Sequence, residues 1–144
     1  MDQKRMADSL VRKYKTHDPF QIAKSLGIEV VFMPLQGIRG MFRSMKRCRF
    51  IFVDSRLDEH GARFVCAHEL GHAMLHRGCN RIFMDTNTYF KVNQYEIEAD
   101  RFAVDLLYDD SDLREFLEQP VQVAADCMGV SLALAEYRMK TIIQ

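Results

Sequence analysis

The sequence has no long apolar run and no excess of either charge, and each absence excludes a class of protein. No stretch of even twelve consecutive apolar residues occurs among the 144 residues, so we expect no membrane-spanning segment. The first residues, MDQKRMADS, lack the apolar core of a secretory signal, which favours a cytoplasmic protein. The 20 Lys and Arg balance the 20 Asp and Glu, which argues against a protein that binds polyanions over its whole surface.

Closely spaced cysteines are also absent. The four cysteines form no CxxC pair, so they do not resemble a zinc knuckle, and reduced thiols are expected. Disulfides are not needed, because a chain of this length can bury roughly two thirds of its unfolded surface. Since no repeat or linker interrupts the chain, we expect a single domain over residues 1–144, with a core over 1–110 and a helical cap over 111–144.

The charges are distributed unevenly along the chain. Residues 1–53 hold eleven Lys and Arg against four acids, whereas residues 94–126 hold ten acids against two Arg. Two solvated faces explain this pattern. The alternative is that the basic stretch over residues 43–49 contacts an acidic partner or DNA.

Local patterns predict an α+β fold in which helices surround a small sheet. Three short segments rich in β-branched and aromatic residues, bounded by turn residues, are typical of strands. These segments cover residues 28–33, 38–45 and 49–54, with a turn at 45–47. We expect them to form a mostly antiparallel three-stranded sheet.

Helices are predicted before and after the three strands along the chain. The segment from Leu57 to His76 is apolar on most sides, which indicates a buried, central helix. Residues 80–92 are interpreted as a loop with a short extended piece. The other predicted helices cover residues 3–15, 19–26, about 93–108, a short piece after Asp109, 120–128 and a last helix capped by Ser131.

The central predicted helix contains the pattern HExxH at His68, Glu69 and His72. Residues four apart lie one above the other on a helix, so both imidazoles can bind one metal ion. Glu69 points about 100° away around the helix. It cannot easily be a third ligand, but it can reach a water molecule on that ion and act as a general base.

A second motif places two carboxylates four residues apart, at Glu96 and Asp100. Both share one face of the next predicted helix. That helix could aim Glu96 at the metal as the third protein ligand, while Asp100 accepts the outer N–H of a ligating histidine and fixes its tautomer. An exposed acidic face is the alternative, but the coincidence with HExxH favours the metal site.

Neighbouring residues are expected to have other roles. Glu98 lies about 200° around the helix from Glu96, so the two cannot both face one ion. His76 lies about 12 Å along the helix from His68, which one ion cannot bridge, so we expect a polar residue at the helix end. Gly71 costs roughly 1 kcal/mol relative to Ala inside a helix, which suggests that another segment packs closely against it.

HELGH followed by EIEADRFA resembles the ImmA/IrrE family of metallo-endopeptidases, which are gluzincin-like zincins. The resemblance covers most of residues 15–110 and implies a zincin-like fold, in which the HExxH helix is crossed by the glutamate helix. The length fits the small type encoded by phages and mobile elements. The family pattern, HExxH with E-x-x-A-[D/N]-x-F-A, is matched at His68, Glu69, His72, Glu96, Ala99, Asp100, Phe102 and Ala103.

This resemblance also implies a cofactor and a partner. The implied cofactor is one Zn²⁺ per chain, held by His68, His72 and Glu96 with Glu69 as the base; Mn²⁺ or Fe²⁺ could occupy the same donor set. The implied partner is a protein substrate, a cognate repressor whose cleavage releases gene expression. An extended substrate could pair with an exposed strand, for which residues 38–45 are the candidate. The oxyanion donor is open among Tyr89, Tyr95 and Tyr108.

Two other function classes stay open. Residues 123–131 resemble the turn of a helix-turn-helix, so DNA binding is one alternative, although the following helix offers only Arg138 and Lys140 as contacts. The other is a metal-binding regulatory protein that acts by contact without cleavage. The favoured interpretation has neither a nucleic acid nor a membrane as partner, and no pattern indicates an oligomeric state.

Overall fold

The computed structural model describes residues 2–76 and 88–142, with only the backbone described over 88–92. The described residues form seven α-helices, a short 3-10 helix (Arg114–Phe116) and three strands, which confirms the α+β class. The helices are α1 (Gln3–Tyr14), α2 (Pro19–Ser25), α3 (Glu59–Leu75), α4 (Thr88–Leu107), α5 (Asp110–Leu113), α6 (Val121–Met128) and α7 (Leu132–Lys140). The strands are β1 (Ile28–Met33), β2 (Gly40–Met45) and β3 (Cys48–Asp54).

The sheet is mixed rather than mostly antiparallel. Its strand order is β1-β3-β2, with β1 parallel and β2 antiparallel to β3. A two-residue turn joins β2 to β3, and both of its residues, Lys46 and Arg47, have positive φ, of 46° and 72°. Such a turn matches the twist of a hairpin, so it specifies only the antiparallel pair. No local signal specifies the neighbour of β1, which explains why this part of the prediction was wrong.

The buried central helix is confirmed as α3. Its start is capped by Asp58, whose carboxylate accepts the N–H of Gly61 at 2.7 Å. Its apolar side chains join one core with α1, α2, α4 and the sheet. The fully buried members of that core with the largest side chains include Ile22, Ile51, Val53, Leu70, Phe102 and Leu106.

Close packing at Gly71 is confirmed. A methyl group added at Gly71 would lie 3.0–3.2 Å from the Phe102 side chain of α4. The missing side chain therefore lets α4 approach α3 closely at the turn that carries the HExxH motif. Helix α4 is longer than predicted, because its backbone is helical from Thr88 rather than from about residue 93. Residues 88–92 contain neither Gly nor Pro, and each residue added to an existing helix contributes another hydrogen bond.

The C-terminal helices pack on the far end of α4. Helix α6 ends at Met128 and is followed by Gly129, whose φ is 69°. Ser131 caps α7 by accepting the N–H of Leu134. A second apolar cluster joins these helices to α4, and its buried members are Val104, Leu113, Ala124, Met128 and Ile142. None of the described helices is both long and apolar enough to cross a membrane.

Three of the cysteines, Cys48, Cys66 and Cys127, are free thiols, as expected. Burial raises the pKa of the Cys66 thiol to about 12, so it is not a nucleophile at neutral pH. Cys79 lies outside the described residues, as does most of the loop that was predicted over residues 80–92.

Candidate metal centre

The two histidines of the HExxH motif lie one turn apart on the face of α3 that packs against α4. Their Nε2 atoms are 3.2 Å apart, and their ring centroids are 4.8 Å apart. This proximity follows from the four-residue spacing on a regular helix. Both side chains are largely buried, so the two nitrogens converge on one point that is shielded from bulk water.

Glu96 of α4 completes this convergence. One of its carboxylate oxygens lies 2.9 Å from Nε2 of His68, and the other lies 2.9 Å from Nε2 of His72. Donor atoms on a tetrahedral zinc ion with bonds of 2.0–2.1 Å would be about 3.3 Å apart. The three separations are close to that value, and two imidazoles with one carboxylate are the donor set of many catalytic zinc sites. The residues present therefore fit a divalent metal.

Asp100 supports His68 from the opposite side of its ring. Its Oδ1 atom lies 2.7 Å from Nδ1 of His68. A carboxylate only accepts hydrogen bonds, so Nδ1 must carry the proton. In the neutral imidazole the lone pair is then on Nε2, which faces Glu96 and His72. This is the arrangement that the i, i+4 spacing of Glu96 and Asp100 predicts.

The electrostatics of the cluster favour positive charge. Burial opposes a charge on His68, but the hydrogen bonds to Asp100 and Glu96 outweigh it and raise its pKa to about 9. The hydrogen bonds from His68 and His72 hold the pKa of Glu96 far below its usual range. In the metal-free protein a proton on His68 supplies the positive charge at pH 7. A metal ligand must be a neutral imidazole, so metal binding would release that proton.

Glu69 lies at the margin of the cluster, between α3 and the sheet. Its carboxylate is 3.9 Å from Nε2 of His68, and the donor atoms of Glu69, His68 and His72 all lie within 4.8 Å of one another. Only 8% of the residue is exposed. A methyl group added at Gly40 of β2 would lie 3.4 Å from Cγ of Glu69, so the first residue of β2 adjoins this carboxylate.

The three candidate tyrosines lie in different places. The Tyr95 ring packs 4.3 Å from the ring of His76, beside the cluster. Tyr108 lies roughly 18 Å along the helix direction from Glu96, and its hydroxyl donates to the carbonyl of Met128 at 3.1 Å. The structure therefore does not bring Tyr108 to the histidines. The side chain of Tyr89 lies outside the described residues.

Three residues beside the cluster were not assigned to it from the sequence. Nδ1 of His76 lies 2.9 Å from Nδ1 of His72, and Nε2 of His76 lies 3.0 Å from a carboxylate oxygen of Glu98. The four-residue spacing of His68, His72 and His76 was the sequence signal for His76 and Glu98. Where two helices pack antiparallel, successive turns of one lie opposite successive turns of the other, so a histidine one turn after His72 faces the next carboxylate of α4. Gly40 is the third, and a glycine within a predicted strand signals close approach of another segment.

Comparisons with known proteins cover both motifs. Residues 23–140 match peptidase family M78, described as the IrrE N-terminal-like domain. The chain is also similar to uncharacterized immunity region protein 2 of Bacillus phage phi105, with 43% identity over 102 residues. The aligned segment covers 70% of this chain and 65% of the phage protein.

Proposed function

The chain belongs to the IrrE N-terminal-like family of peptidases, and we propose that it is a metal-dependent endopeptidase that cleaves a specific protein. The observation that carries the proposal is the convergence of His68, His72 and Glu96 within 3.2 Å of one another. Three protein donors leave a fourth position on a tetrahedral ion for water or substrate, as catalytic zinc sites require. The ion we propose is one Zn²⁺ per chain, with Mn²⁺ or Fe²⁺ as alternatives that depend on metal supply.

The chemistry supplied by such an ion is Lewis acidity, which polarises the scissile carbonyl and acidifies water. Glu69 is proposed as the general base that takes the proton from the attacking water and passes it to the leaving amine. Its position beside the histidines, with an oxygen 3.9 Å from Nε2 of His68, suits that task. Asp100 holds the His68 ring in the orientation that directs Nε2 inward.

Strand β2 is the proposed binding surface for an extended substrate. It lies at the edge of the sheet, with β3 on one side, and it begins next to Glu69. A polypeptide that adds to this edge would form main-chain hydrogen bonds and pass the proposed base. Among the oxyanion candidates Tyr95 is preferred, since its ring lies beside the cluster.

A cognate repressor is the proposed substrate. The support is the name of the phage relative, which places that protein in an immunity region. The chain spans 65% of the length of that relative, so the whole protein's partners are part of the proposal. We also propose that residues 1–110 form the peptidase core and that residues 111–144 form a helical cap.

Cleavage of the repressor of the same genetic element tests this function. Zinc-loaded wild type should cleave the repressor at one bond and leave unstructured casein intact. Glu69→Gln should lower the cleavage rate by roughly 10²–10⁴-fold while zinc content stays at one ion per chain. Glu59→Gln makes the same change at an exposed position of α3 and serves as the control. Full activity in Glu69→Gln would contradict the assignment of the base.

The position of Arg138 does not support DNA binding through α6 and α7, because its side chain is not accessible. Only 1% of this residue is exposed. Its guanidinium donates to the carbonyl of Tyr108 at 2.7 Å, to the carboxylate of Asp110 at 2.7 Å and to the hydroxyl of Thr141 at 2.9 Å. Arg138, one of the two cations considered for nucleic-acid contact, therefore binds groups within the protein and packs α7 against α4. Zinc binding without cleavage of any repressor would favour the contact-only regulatory protein instead.

A further inference from the structure

A chain of hydrogen bonds extends from His72 away from the proposed metal position. Nδ1 of His72 lies 2.9 Å from Nδ1 of His76, whose Nε2 lies 3.0 Å from the carboxylate of Glu98. The His76 side chain is 6% exposed, and the Tyr95 ring packs against its face. A polar residue that merely ended the helix would point into water, whereas this ring is fixed on three sides.

The direction of each hydrogen bond follows from the last member of the chain. The carboxylate of Glu98 only accepts, so Nε2 of His76 must donate. Nδ1 of a neutral His76 then accepts, and Nδ1 of His72 must donate to it. With Nδ1 of His72 donating to His76, a metal ion at Nε2 would take the place of the proton that Nε2 donates to Glu96, at 2.9 Å, in the metal-free protein.

We propose that His76, oriented by Glu98, is a positioning residue that sets the tautomer and ring orientation of His72 for metal binding. The inference rests on the proposed metal site and adds residues to it. The two imidazoles are then supported differently. His68 meets a carboxylate directly through Asp100, whereas His72 reaches one through an intervening imidazole. Outer partners of metal-binding histidines typically change metal affinity by 10–100-fold when they are removed.

Zinc affinity, measured by competition with a chromophoric chelator, provides the first test. His76→Phe keeps a ring against Tyr95 but removes the acceptor, and it should weaken zinc binding by roughly 10–100-fold. His76→Asn restores an acceptor near the position of Nδ1 and should bind zinc within a few-fold of wild type. His17→Phe is the matched control, since His17 is a part-buried histidine whose Nδ1 contacts the carbonyl of Leu106. It should leave zinc affinity unchanged.

Nuclear magnetic resonance of the imidazole protons provides a second readout, which a general loss of stability would not mimic. In zinc-loaded wild type, Nδ1–H of both His68 and His72 should be protected and shifted downfield by their acceptors. In His76→Phe the His72 signal should move upfield or exchange with water. The His68 signal, bonded to Asp100, should stay in place and so serves as the internal reference.

Glu98→Leu is the second variant, at a side chain that is one-third exposed, and it keeps the test valid if His76→Phe does not fold. It should weaken zinc binding several-fold and shift the His72 signal. Unchanged zinc affinity and an unmoved His72 signal in the folded variants would overturn the positioning role while the proposed metal site stands. A wild type that binds no zinc would overturn both.

Discussion

Helix α4 carries two networks of carboxylates, and they differ in the source of their positive charge. In its middle, Glu96 and Asp100 face the imidazoles of His68 and His72, which are neutral in their metal-binding form. Near its end, Asp105 accepts the hydroxyl of Tyr137 at 2.6 Å and lies 3.8 Å from the guanidinium of Arg138.

The difference separates a functional network from a structural one. Arg138 is charged at any physiological pH, so the network around Asp105 contains its own cation and holds α7 against α4. Among the described residues, the network around Glu96 brings three acceptor groups together, and a proton or a bound ion adds a full positive charge there. We therefore expect substitutions in the Asp105 network to change folding stability, and substitutions in the Glu96 network to change metal affinity.

Arg138→Met should produce the largest loss of stability. It leaves the carboxylates of Asp105 and Asp110 without the guanidinium, and breaking a buried ion pair on one side costs about 3–5 kcal/mol. Chemical denaturation measures this loss. Arg101→Met removes an exposed guanidinium that lies 4.7 Å from the Tyr137 ring and should cost less than about 1 kcal/mol. Equal losses in the two variants would show that the buried guanidinium of Arg138 stabilises the fold no more than an exposed one.

Glu96→Ala should strongly weaken zinc binding and change folding stability little, which is the opposite of what we expect for Arg138→Met. Removal of one of three protein ligands should weaken zinc binding by roughly 10²–10³-fold. The stability of the metal-free protein should change by about 1 kcal/mol or less, because the Glu96 side chain is 39% exposed. Chelator competition and denaturation of the metal-free protein measure the two quantities. A large loss of metal-free stability with intact zinc affinity would make Glu96 a structural residue.

The Asp105 network should also respond to pH. Burial raises the pKa of Asp105 to about 6, against the opposing effects of Tyr137 and Arg138. Between about pH 4 and pH 6 the folded state therefore binds a proton that the unfolded state has lost, so stability from this group decreases as pH rises. The decrease is on the order of 3 kcal/mol, because one pKa unit corresponds to about 1.4 kcal/mol.

Asp105→Asn lacks this titration and provides the reference. The stability of wild type relative to Asp105→Asn should decrease from pH 4 to pH 7 in urea denaturation. A difference that stayed constant or increased over this range would show that burial does not raise the pKa of Asp105.

Gly71→Ala should give the smallest effect, and it tests the packing on which both networks depend. The added methyl group meets the buried Phe102 at 3.0–3.2 Å, an overpacking that costs about 1–3 kcal/mol, while Ala favours the helix by about 1 kcal/mol. We expect a net loss of about 1 kcal/mol and a few-fold weaker zinc binding, as α4 shifts from α3. Increased stability with unchanged zinc affinity would show that the contact between the helices is not tight.

Local chemistry explains which parts of this molecule could be predicted from the sequence. The caps Asp18 and Ser131 act within one turn, so the starts of two helices were predictable from short patterns. Asp58 caps α3 in the same way, but the prediction began that helix at Leu57. The ligand pairs were predictable for the same reason, since four-residue spacing places side chains on one face before any tertiary contact forms.

Features that depend on distant parts of the chain could not be predicted in this way. The parallel neighbour of β1 is chosen by packing and has no turn signal. The place of His76 depends on the antiparallel approach of α4, which brings Glu98 opposite the turn after His72. The sequence pattern offered Arg138 as a nucleic-acid contact. Its burial could not be predicted, because it arises from contact with the end of α4, some thirty residues away in sequence.

The most direct test of the central claim is a crystal structure of the zinc-loaded protein, with the ion located by anomalous scattering at the zinc edge. We expect one ion per chain, bound by Nε2 of His68, Nε2 of His72 and a carboxylate oxygen of Glu96, with water in a fourth position. An ion bound elsewhere, or a Glu96 carboxylate turned into solvent away from both imidazoles, would contradict the central claim.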